Sequence, residues 1–472
     1  MKYDLVCGLE THIELSTEKK MFCQCKVKFG SEPNTNCCPI CIGAPGTLPV
    51  LNYDAVASAV KMGLALNCKI NLVSKMERKC YFYPDLAKAY QISQNDLPIC
   101  GPGYVQLSSG KKIRINHIHI EEDAGKIKNE IDGIYVDYNR AGVPLIEIVS
   151  EPDISSPEEA REYIEKLQMT ARYVRISDAR MQEGSIRCDV NISVRPSGSS
   201  EFGTRVEIKN MNSISFICKA LQYEYNRQVD ALEAGETLIQ ETRRFNESKG
   251  TTETMRAKES AAGYGYFPEP DLAPVCLTQQ FVDDIKNAMH ESFDHKFNRY
   301  VELGIPEKTS ELLVKYVNVA EFFDDVIKDC SSPINAANLI VGTIFSILGT
   351  ESKKEEFKLN FSPQDLCKLV NLVSENKISV ANSKQIVTET MESNKNFSSI
   401  LDEFIKSSSS LDVDKICEEC INENQSAVND YLSGKEKALQ CIIGKVMAKT
   451  KGRADAAKVK STIVDLISKK KN

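Results

Sequence analysis

Residues 3 to 15 read Tyr3-Asp4-Leu5-Val6-Cys7-Gly8-Leu9-Glu10-Thr11-His12-Ile13-Glu14-Leu15. The odd-numbered residues are mainly apolar and alternate with a mixed, more polar set, and this period of two predicts a β-strand. Because successive side chains of a strand point to opposite faces, Glu10, His12 and Glu14 share one face. The alternation recurs in later segments, at residues 113–120, 145–149, 187–194 and 205–209.

Helical patterns lie between these strands. Ser156 can cap a helix, Pro157 suits its first turn, and Glu159 completes a capping box. An apolar stripe follows at helical spacing, formed by Ala160, Ile164, Leu167, Ala171 and Val174. Strands with interspersed helices predict an α+β domain with a mixed sheet over residues 1–295.

The chain changes character after His295, where strand patterns give way to helical periodicity. We therefore expect an all-helical domain over residues 296–406, with helix boundaries at Pro306, Pro333 and Pro363. A serine run at 407–410 predicts a linker. A small helical tail domain is expected over residues 411–472, with one apolar helix face formed by Leu439, Ile442, Ile443, Val446 and Met447.

The composition is that of a globular protein. The chain has 472 residues, 42% of them hydrophobic and 26% charged, which excludes disorder, collagen and coiled coil as overall descriptions. The longest apolar run, Leu339 to Gly349, falls short of the roughly 20 residues that a bilayer span needs. No signal-peptide pattern follows Met1. We therefore expect a cytoplasmic protein without a membrane segment.

Positive charge is concentrated at the C-terminal end. Residues 434–472 contain 11 Lys plus Arg and three acids, a net charge of +8. Since the whole chain carries -7, the preceding 433 residues sum to -15. An acidic protein with a basic end is a candidate nucleic-acid binder through that end. The alternative is a solvated, lysine-rich terminal helix.

Cysteine spacing predicts one metal site. Cys23-Gln24-Cys25 and Cys38-Pro39-Ile40-Cys41 supply two close pairs of thiols, which suit a structural, four-thiolate Zn²⁺ site. Cys37 is a rival ligand, and free thiols are the alternative for the whole group. Cys417 and Cys420 are expected to be free. The odd total of 17 cysteines does not indicate a disulfide framework.

Carboxylate side chains also alternate with apolar residues in the predicted strands. They are Glu10, Glu147, Asp189, Glu207 and the run Glu121-Glu122-Asp123. A sheet face that collects several carboxylates is costly unless cations neutralise it. Oxygen ligands with the one imidazole of His12 suit Mg²⁺ or Mn²⁺. The alternative is that each carboxylate lies on the wet face of a half-buried sheet.

Basic residues accompany these carboxylates and favour an anionic ligand such as a phosphate. They are Lys75, Arg78, Lys79, Arg140, Arg187, Arg205 and Lys209. There is no G-x-x-x-x-G-K-[ST] motif, which excludes a P-loop ATPase, and no Ser-His-Asp elbow. The five histidines, at 12, 117, 119, 290 and 295, argue against a catalytic metal site with several imidazoles.

Longer motifs resemble the GatB family, the B-type chains of glutamyl/aspartyl-tRNA amidotransferases. The resemblance spans essentially the whole chain and is strongest before residue 270. It is carried by 8-GLETHIEL-15, 29-FGSEPNTN-36, 81-YFYPDL-86, 90-YQISQ-94, 121-EEDAGK-126, 137-DYNRAGVPLIE-147 and 183-EGSIRCDVN-191.

The resemblance implies one chain of a heterotrimer, with an amidase subunit and a small bridging subunit as partners. Such a GatB chain binds misacylated Glu-tRNA(Gln) or Asp-tRNA(Asn), activates the side-chain carboxylate with ATP and Mg²⁺, and amidates it with ammonia from the amidase. The implied fold is a cradle-like α+β domain, a helical domain and a tail domain that contacts tRNA through a segment starting at Gly434.

The resemblance also implies roles for individual residues. Metal ligands would be Glu10, His12, Glu122, Glu147, Asp189 and Glu207. Together with the basic residues chosen above from their charge, we expect a catalytic set of Glu10, His12, Glu122, Arg140, Arg187 and Lys209. We expect ATP to contact Lys75, Arg78, Lys79 and Arg205.

One departure keeps a second interpretation open. Family members have Arg where this chain has Gly265, within Tyr264 to Leu272, and a lost guanidinium removes a bidentate contact to phosphate or carboxylate. Thr11, in place of an aliphatic residue, is a milder change. A divergent, non-catalytic tRNA-binding scaffold of the same fold is therefore the alternative to the amidotransferase. The sequence does not distinguish Glu-tRNA(Gln) from Asp-tRNA(Asn) as substrate.

Overall fold

The computed structural model describes residues 2–28, 30–209, 211–257, 265–393, 395–409, 413–450, 454 and 456–469. The chain divides into two units, Met1–Ser292 and Phe293–Asn472. A mixed α+β first unit and a helical second unit confirm the predicted fold class. The division into three domains, with boundaries at 295 and 406–411, stays a prediction.

Strands dominate the first unit. They are β1 (Tyr3–Glu14), β2 (Val73–Ser74), β3 (Glu77–Cys80), β4 (Tyr90–Ser93), β5 (Gly103–Gln106), β6 (Lys112–Glu122), β7 (Lys126–Glu130), β8 (Gly133–Asp137), β9 (Pro144–Ser150), β10 (Ile186–Pro196), β11 (Val206–Lys209), β12 (Glu241–Asn246), β13 (Thr251–Ala257), β14 (Gly265–Pro268) and β15 (Val275–Cys276).

Eight of the described strands form one sheet in the order β13-β12-β11-β10-β1-β9-β6-β5. Neighbouring strands are antiparallel except for the parallel pair β11 and β12, so the sheet is mixed as predicted. A smaller sheet has the order β14-β3-β4, and two further pairs are β15-β2 and β7-β8. The strand predicted from residues 3–15 lies near the middle of the large sheet.

Four helices belong to the first unit within the described residues: α1 (Tyr53–Ala65), α2 (Pro157–Tyr173), α3 (Ile214–Glu233) and α4 (Gln279–Ala288). Ser156 caps α2 by accepting a hydrogen bond from the Glu159 amide, with Pro157 in the first turn. Leu9, Ile13, Leu167 and residues of α1 and α3 share one buried core. Because that core takes one face of β1, the other face is left for Glu10 and His12.

The second unit is helical in its described parts. Its helices are α5 (Phe293–Glu302), α6 (Glu307–Val314), α7 (Val317–Ile327), α8 (Pro333–Asn338), a π-helical stretch (Leu339–Ile344), α9 (Phe345–Leu348), α10 (Glu351–Glu356), α11 (Pro363–Ser374), α12 (Val380–Glu392), α13 (Phe397–Ser409), α14 (Val413–Glu423), α15 (Gln425–Leu432), α16 (Lys437–Lys449) and α17 (Ala456–Lys469). No helix in the described residues is both long and apolar enough to cross a bilayer.

The serine run differs from expectation, because α13 continues through Ser409. Serine has an ordinary helix propensity, and extending an existing helix costs far less than starting one. Residues 410–412 lie outside the described residues. Beyond them, α14, α16 and α17 enclose a separate apolar core that contains Cys417, Cys420 and the Leu439/Ile442 face.

Candidate metal centres

Strand register brings the polar face of β1 together with its neighbours. His12 lies opposite Glu147 of β9 and Arg187 of β10, while Glu10 lies opposite Asp189 of β10. Since directly opposed residues have adjacent Cβ atoms, this pairing fixes which side chains can share a ligand.

The first centre, which we call the histidine–carboxylate cluster, consists of His12, His119, Glu121 and Glu147. His12 Nε2 lies 3.3 Å from both Glu121 Oε1 and Glu147 Oε2. One donor atom from each of His12, Glu121 and Glu147 lies within 4.8 Å of the other two, a separation that one metal ion can bridge. Glu121 and Glu147 are buried, so the cluster carries two carboxylates that need cationic partners.

The structure places Glu121, not Glu122, beside His12. Side chains of β6 alternate, so His117, His119 and Glu121 point to the face of His12, while Glu122 points away. Glu122 instead forms an ion pair with Lys88, and it accepts a 3.0 Å hydrogen bond from the Ile92 amide. The metal and catalytic roles expected for Glu122 stay predictions. Sequence reasoning missed Glu121 and His119, although the alternation of β6 contained the signal.

The second centre, the acidic cluster, consists of Glu10, Asp189 and Glu207, whose carboxylate oxygens also lie within 4.8 Å of one another. Lys209 Nζ lies 2.6 Å from Asp189 Oδ2 and 3.0 Å from Glu207 Oε1. Asn191 Nδ2 donates a 2.9 Å hydrogen bond to Glu10. One ammonium group therefore neutralises part of this cluster.

The electrostatic environment of the first centre favours protonated, positively charged imidazole rings beside the two carboxylates. Burial alone would lower the pKa of His12, but Glu147 and Glu121 outweigh it and raise that pKa to about 10. The same carboxylates overcome burial at His119 and raise its pKa to about 9. Burial would raise the pKa of Glu121, yet the two imidazoles hold it below its usual value. Cations thus stabilise both carboxylates of the cluster.

A third group of charges flanks the first centre. Arg187 Nη2 lies 2.8 Å and Arg140 Nε 3.3 Å from the same oxygen of Asp123. Burial raises the pKa of Glu14, Asp123 raises it further, and the two arginines offset part of the increase, leaving a pKa of about 7. Arg140 and Arg187 are thus held in place by Asp123, and Arg187 lies opposite His12 in the sheet.

The four residues expected to contact ATP differ from one another in their surroundings. Arg78 makes a bidentate ion pair with Glu269, at 2.6 and 2.8 Å, and stacks 4.3 Å above Tyr90. Lys75 pairs with Asp96 at 2.9 Å. Burial would lower the pKa of Lys79, but the nearby carboxylates of the first centre outweigh it and raise that pKa. Arg205 is exposed. The roles of these four residues toward ATP stay predictions.

Four thiols form the third candidate metal centre. Cys41 Sγ lies 3.3 Å from Cys23 Sγ, 3.6 Å from Cys38 Sγ and 3.7 Å from Cys25 Sγ. A tetrahedral Zn²⁺ ion with bonds of about 2.3 Å places its sulfur ligands about 3.8 Å apart. The donor set therefore fits Zn²⁺ in both chemistry and spacing.

Cys37 and Lys20 are neighbours of the thiol centre. Cys37 Sγ donates toward the Asn34 carbonyl at 3.4 Å and is not among the four converging sulfurs. Lys20 is buried, and its Nζ lies 3.7 Å from Cys41 Sγ. An ammonium group there offsets part of the negative charge of a thiolate shell.

Comparison with models of known protein families identifies the family of this chain. A model described as the GatB/GatE catalytic domain matches residues 5–283, and a model described as the GatB domain matches residues 321–467. The chain belongs to the GatB family. The resemblance seen in the sequence motifs is thereby confirmed.

Curated relatives of this GatB-family chain are similar over its whole length. Proteins named as the B subunit of aspartyl/glutamyl-tRNA(Asn/Gln) amidotransferase, from Thermoanaerobacter pseudethanolicus and Caldanaerobacter subterraneus, are each 48% identical to it, covering 99% of the chain and 100% of the relative. The protein of that name from Caldicellulosiruptor saccharolyticus is 45% identical at the same coverage.

The thiol centre leads to a prediction about zinc. The purified GatB-family chain should contain about one equivalent of Zn²⁺, and Cys38→Ser should lose most of it because one of four ligands is removed. Elemental analysis by mass spectrometry measures the content. Cys37→Ser is the matched control and should retain the ion. Equal zinc loss in both variants would contradict the assignment of Cys38 over Cys37.

The pKa of Glu14 leads to a prediction about stability. Its carboxyl binds a proton more tightly when folded than at its ordinary pKa of 4.5, so the folded state loses stability as pH rises from about 4.5 to about 7. Glu14→Gln should therefore raise the melting temperature at pH 8 and leave it nearly unchanged at pH 4.5. The exposed control Glu18→Gln should not alter the pH profile. Parallel profiles for Glu14→Gln and the parent would refute the raised pKa.

Proposed function

We propose that this chain is the tRNA-binding, ATP-dependent subunit of a glutamine-dependent amidotransferase. Its substrate class is tRNA misacylated with Glu or Asp, and its reaction converts the side-chain carboxylate into an amide. The observation that carries the proposal is the convergence of His12, Glu121 and Glu147 on one sheet face, in a chain that belongs to the GatB family over its full length. The cytoplasmic location expected from the sequence stays a prediction.

The chemistry explains why such a face would collect both carboxylates and cations. An oxygen of the substrate carboxylate attacks the γ-phosphorus of ATP, ADP leaves, and an acyl phosphate forms. Ammonia then attacks the carbonyl carbon, phosphate leaves with the C–O bond electrons, and the nitrogen loses a proton to become an amide. Both steps place anionic oxygens together, so stabilising their charge is the main task of the protein.

Residues of this chain can perform that task. His12, Glu121 and Glu147 would hold Mg²⁺, which when bound offsets phosphate charge. Arg140 and Arg187, oriented by Asp123, present guanidinium groups beside the same face. Lys209 and Lys79 add ammonium groups. Two of the expected contacts, Lys75 and Arg78, would have to exchange ion pairs with Asp96 and Glu269 to reach a phosphate.

The partners also belong to the proposal. Ammonia would come from an amidase subunit, with a small bridging chain between the two. The tail would bind tRNA, although part of its charge is already paired: Lys449 lies 2.7 Å from Glu423, and Lys435 lies 3.0 Å from Asp430. Four further basic residues that were counted for the tail, Lys451, Arg453, Lys470 and Lys471, lie outside the described residues.

The test is a transamidation assay of the assembled enzyme. Glu147→Gln keeps the side-chain volume but removes one negative charge from the first centre, so amide formation should fall by about 100-fold or more. Glutamine hydrolysis by the amidase partner should remain measurable, since it does not use this centre. Glu158→Gln, an exposed carboxylate on α2, is the control. Transamidation by Glu147→Gln at the parental rate would refute the assigned site.

The non-catalytic scaffold remains the second candidate, and Gly265 is the observation that favours it. Gly265 is exposed at the start of β14, opposite Cys80, and a Cβ at this position meets no atom of the described residues within 4 Å. The preceding residues, Gly263 and Tyr264, lie outside the described residues. The described residues therefore leave space for a Cβ at this position.

Gly265→Arg separates the two candidates. The variant should fold with a melting temperature close to the parent's, because a Cβ here meets none of the described residues and Gly265 is exposed. If the missing guanidinium limits catalysis, amide formation should rise several-fold; Gly265→Gln, equally polar but neutral, should leave it unchanged. A parent that forms no amide, together with Gly265→Arg that does, would identify the natural chain as the scaffold. An active parent that is unaffected by Gly265→Arg would make Gly265 irrelevant to the reaction.

A further inference from the structure

A loop of the thiol centre packs against the segment that carries Arg140. We call residues 30–37, which lie between the two thiol pairs, the knuckle loop. We call residues 136–142, which include the end of β8 and the turn after it, the arginine segment. The residues that join the loop to the segment are 102 to 107 positions apart in sequence, so only the tertiary fold brings them together.

Asn34 links the knuckle loop to the arginine segment with three hydrogen bonds. Its backbone amide donates to Asp137 Oδ1 at 3.1 Å, and its Nδ2 donates to the Val136 carbonyl at 3.0 Å. Its Oδ1 accepts from the Tyr138 amide at 2.7 Å. Asn34 has a φ of 59°, in the left-handed region that Asn tolerates better than most residues. The loop is therefore bound along the backbone that leads to Arg140.

Asn139 supplies the reverse links, from the arginine segment to the knuckle loop. Its Nδ2 donates to the Glu32 carbonyl at 2.6 Å, and its Oδ1 accepts from the Asn36 amide at 2.7 Å. Lys20 joins both parts, because its Nζ donates to the Asn36 carbonyl at 2.9 Å and to the Tyr138 carbonyl at 3.4 Å. Removing the Asn139 amide would thus break two links at once.

Arg140 lies between this contact and Asp123. Its Nε lies 3.3 Å from Asp123 Oδ2 and donates to the Ala124 carbonyl at 3.1 Å, while its Nη2 donates to the Gly125 carbonyl at 3.2 Å. After Arg140 in the chain, the Gly142 amide donates to the Asp123 carbonyl at 2.9 Å. The backbone before the arginine is therefore held by the knuckle loop, and the backbone after it by the end of β6.

The thiol centre controls how freely the knuckle loop can move. Cys25 precedes the loop and Cys38 follows it, and their sulfurs lie 3.7 and 3.6 Å from Cys41 Sγ. A Zn²⁺ ion bonded to these thiolates would tie the two ends of the loop together. Less conformational entropy is then lost when the loop binds the arginine segment.

We propose that the thiol centre supports Arg140 through the knuckle loop, and that Asn139 is a positioning residue for that arginine. Loss of Zn²⁺ loosens the arginine segment and leaves the guanidinium poorly oriented, while the large sheet stays folded. The coupling between ion and segment is independent of the reaction. Its effect on catalysis rests on the proposed function, in which Arg140 faces anionic oxygens.

Hydrogen exchange in the full-length chain tests the coupling. It is followed by mass spectrometry before and after removal of Zn²⁺ with phenanthroline. The Tyr138 amide bonds to Asn34, and the Asn139 amide bonds to Asp137, so both should exchange about 10-fold faster or more after removal. Amides of β9 should exchange as before. Equal protection of the arginine segment with and without Zn²⁺, or an equal loss of protection in β9, overturns the proposal.

Asn139→Ala tests the contact without altering a thiol. The arginine segment should exchange faster in this variant because both links to the knuckle loop are gone, while the Zn²⁺ content should equal that of the parent. Asn129→Ala is the matched control, since Asn129 is exposed on β7 of the same hairpin. Protection of the arginine segment in Asn139→Ala equal to that in Asn129→Ala overturns the positioning role.

Transamidation by the assembled enzyme separates positioning from general destabilisation. Asn139→Ala should lower the rate of amide formation about 10-fold, because the guanidinium is misplaced. In an Arg140→Ala background the same change should cost less than about twofold, since no guanidinium is left to position. Equal losses in both backgrounds overturn the positioning role. A parent that forms no amide refutes the proposed function alone, because hydrogen exchange decides the coupling.

Discussion

The two-sided pairing of strand β1 is the constraint on which the rest of the structure depends. β1 is hydrogen-bonded to β10 on one edge and to β9 on the other. Burying Leu9 and Ile13 against the helices commits the intervening residues to the opposite face. A slip of one residue would place Glu10 and His12 in the apolar core, at the cost of burying unpaired charge. Burial of apolar side chains on one face of β1 therefore positions the charged side chains on the other face.

The polar face is stabilised by an internal balance of charge. Five carboxylates of this face have cations beside them: imidazoles for Glu121 and Glu147, Lys209 for Asp189 and Glu207, and two arginines for Asp123. Glu10 accepts a hydrogen bond from the neutral amide of Asn191. A buried carboxylate without such a partner would be expected to take up a proton. The same arrangement suits a reaction that gathers anionic oxygens, because the cations are already oriented when the substrate arrives.

The sequence indicated which kinds of side chain form the site better than it indicated which individual residues lie together. The Cys23/Cys25/Cys38/Cys41 group could be recognised from spacing, since two short pairs restrict where four sulfurs can lie. Glu122 could not be separated from Glu121 by composition, and only strand parity decides between them. Arg78 and Lys75 illustrate a further limit. Their charge suggested phosphate contacts, but acidic residues nearly 200 positions away for Arg78 and about 20 away for Lys75 bind them instead.

By itself the sequence determined the strand period of β1, β6, β9, β10 and β11, the apolar stripe of α2, the α+β-then-helical order, the thiol group and the face that Glu10 and His12 share. These features depend on local periodicity and spacing, which a chain carries whatever its fold. Tertiary structure alone decided that His119 and Glu121 join His12, that Glu10 belongs with Asp189 and Glu207, and that Glu122 pairs with Lys88. Those pairings depend on the order and register of β1, β9, β6, β10 and β11, which arise from burying a common core. Alternation within β6 shows that His119 and Glu121 share a face, but not which strands that face adjoins.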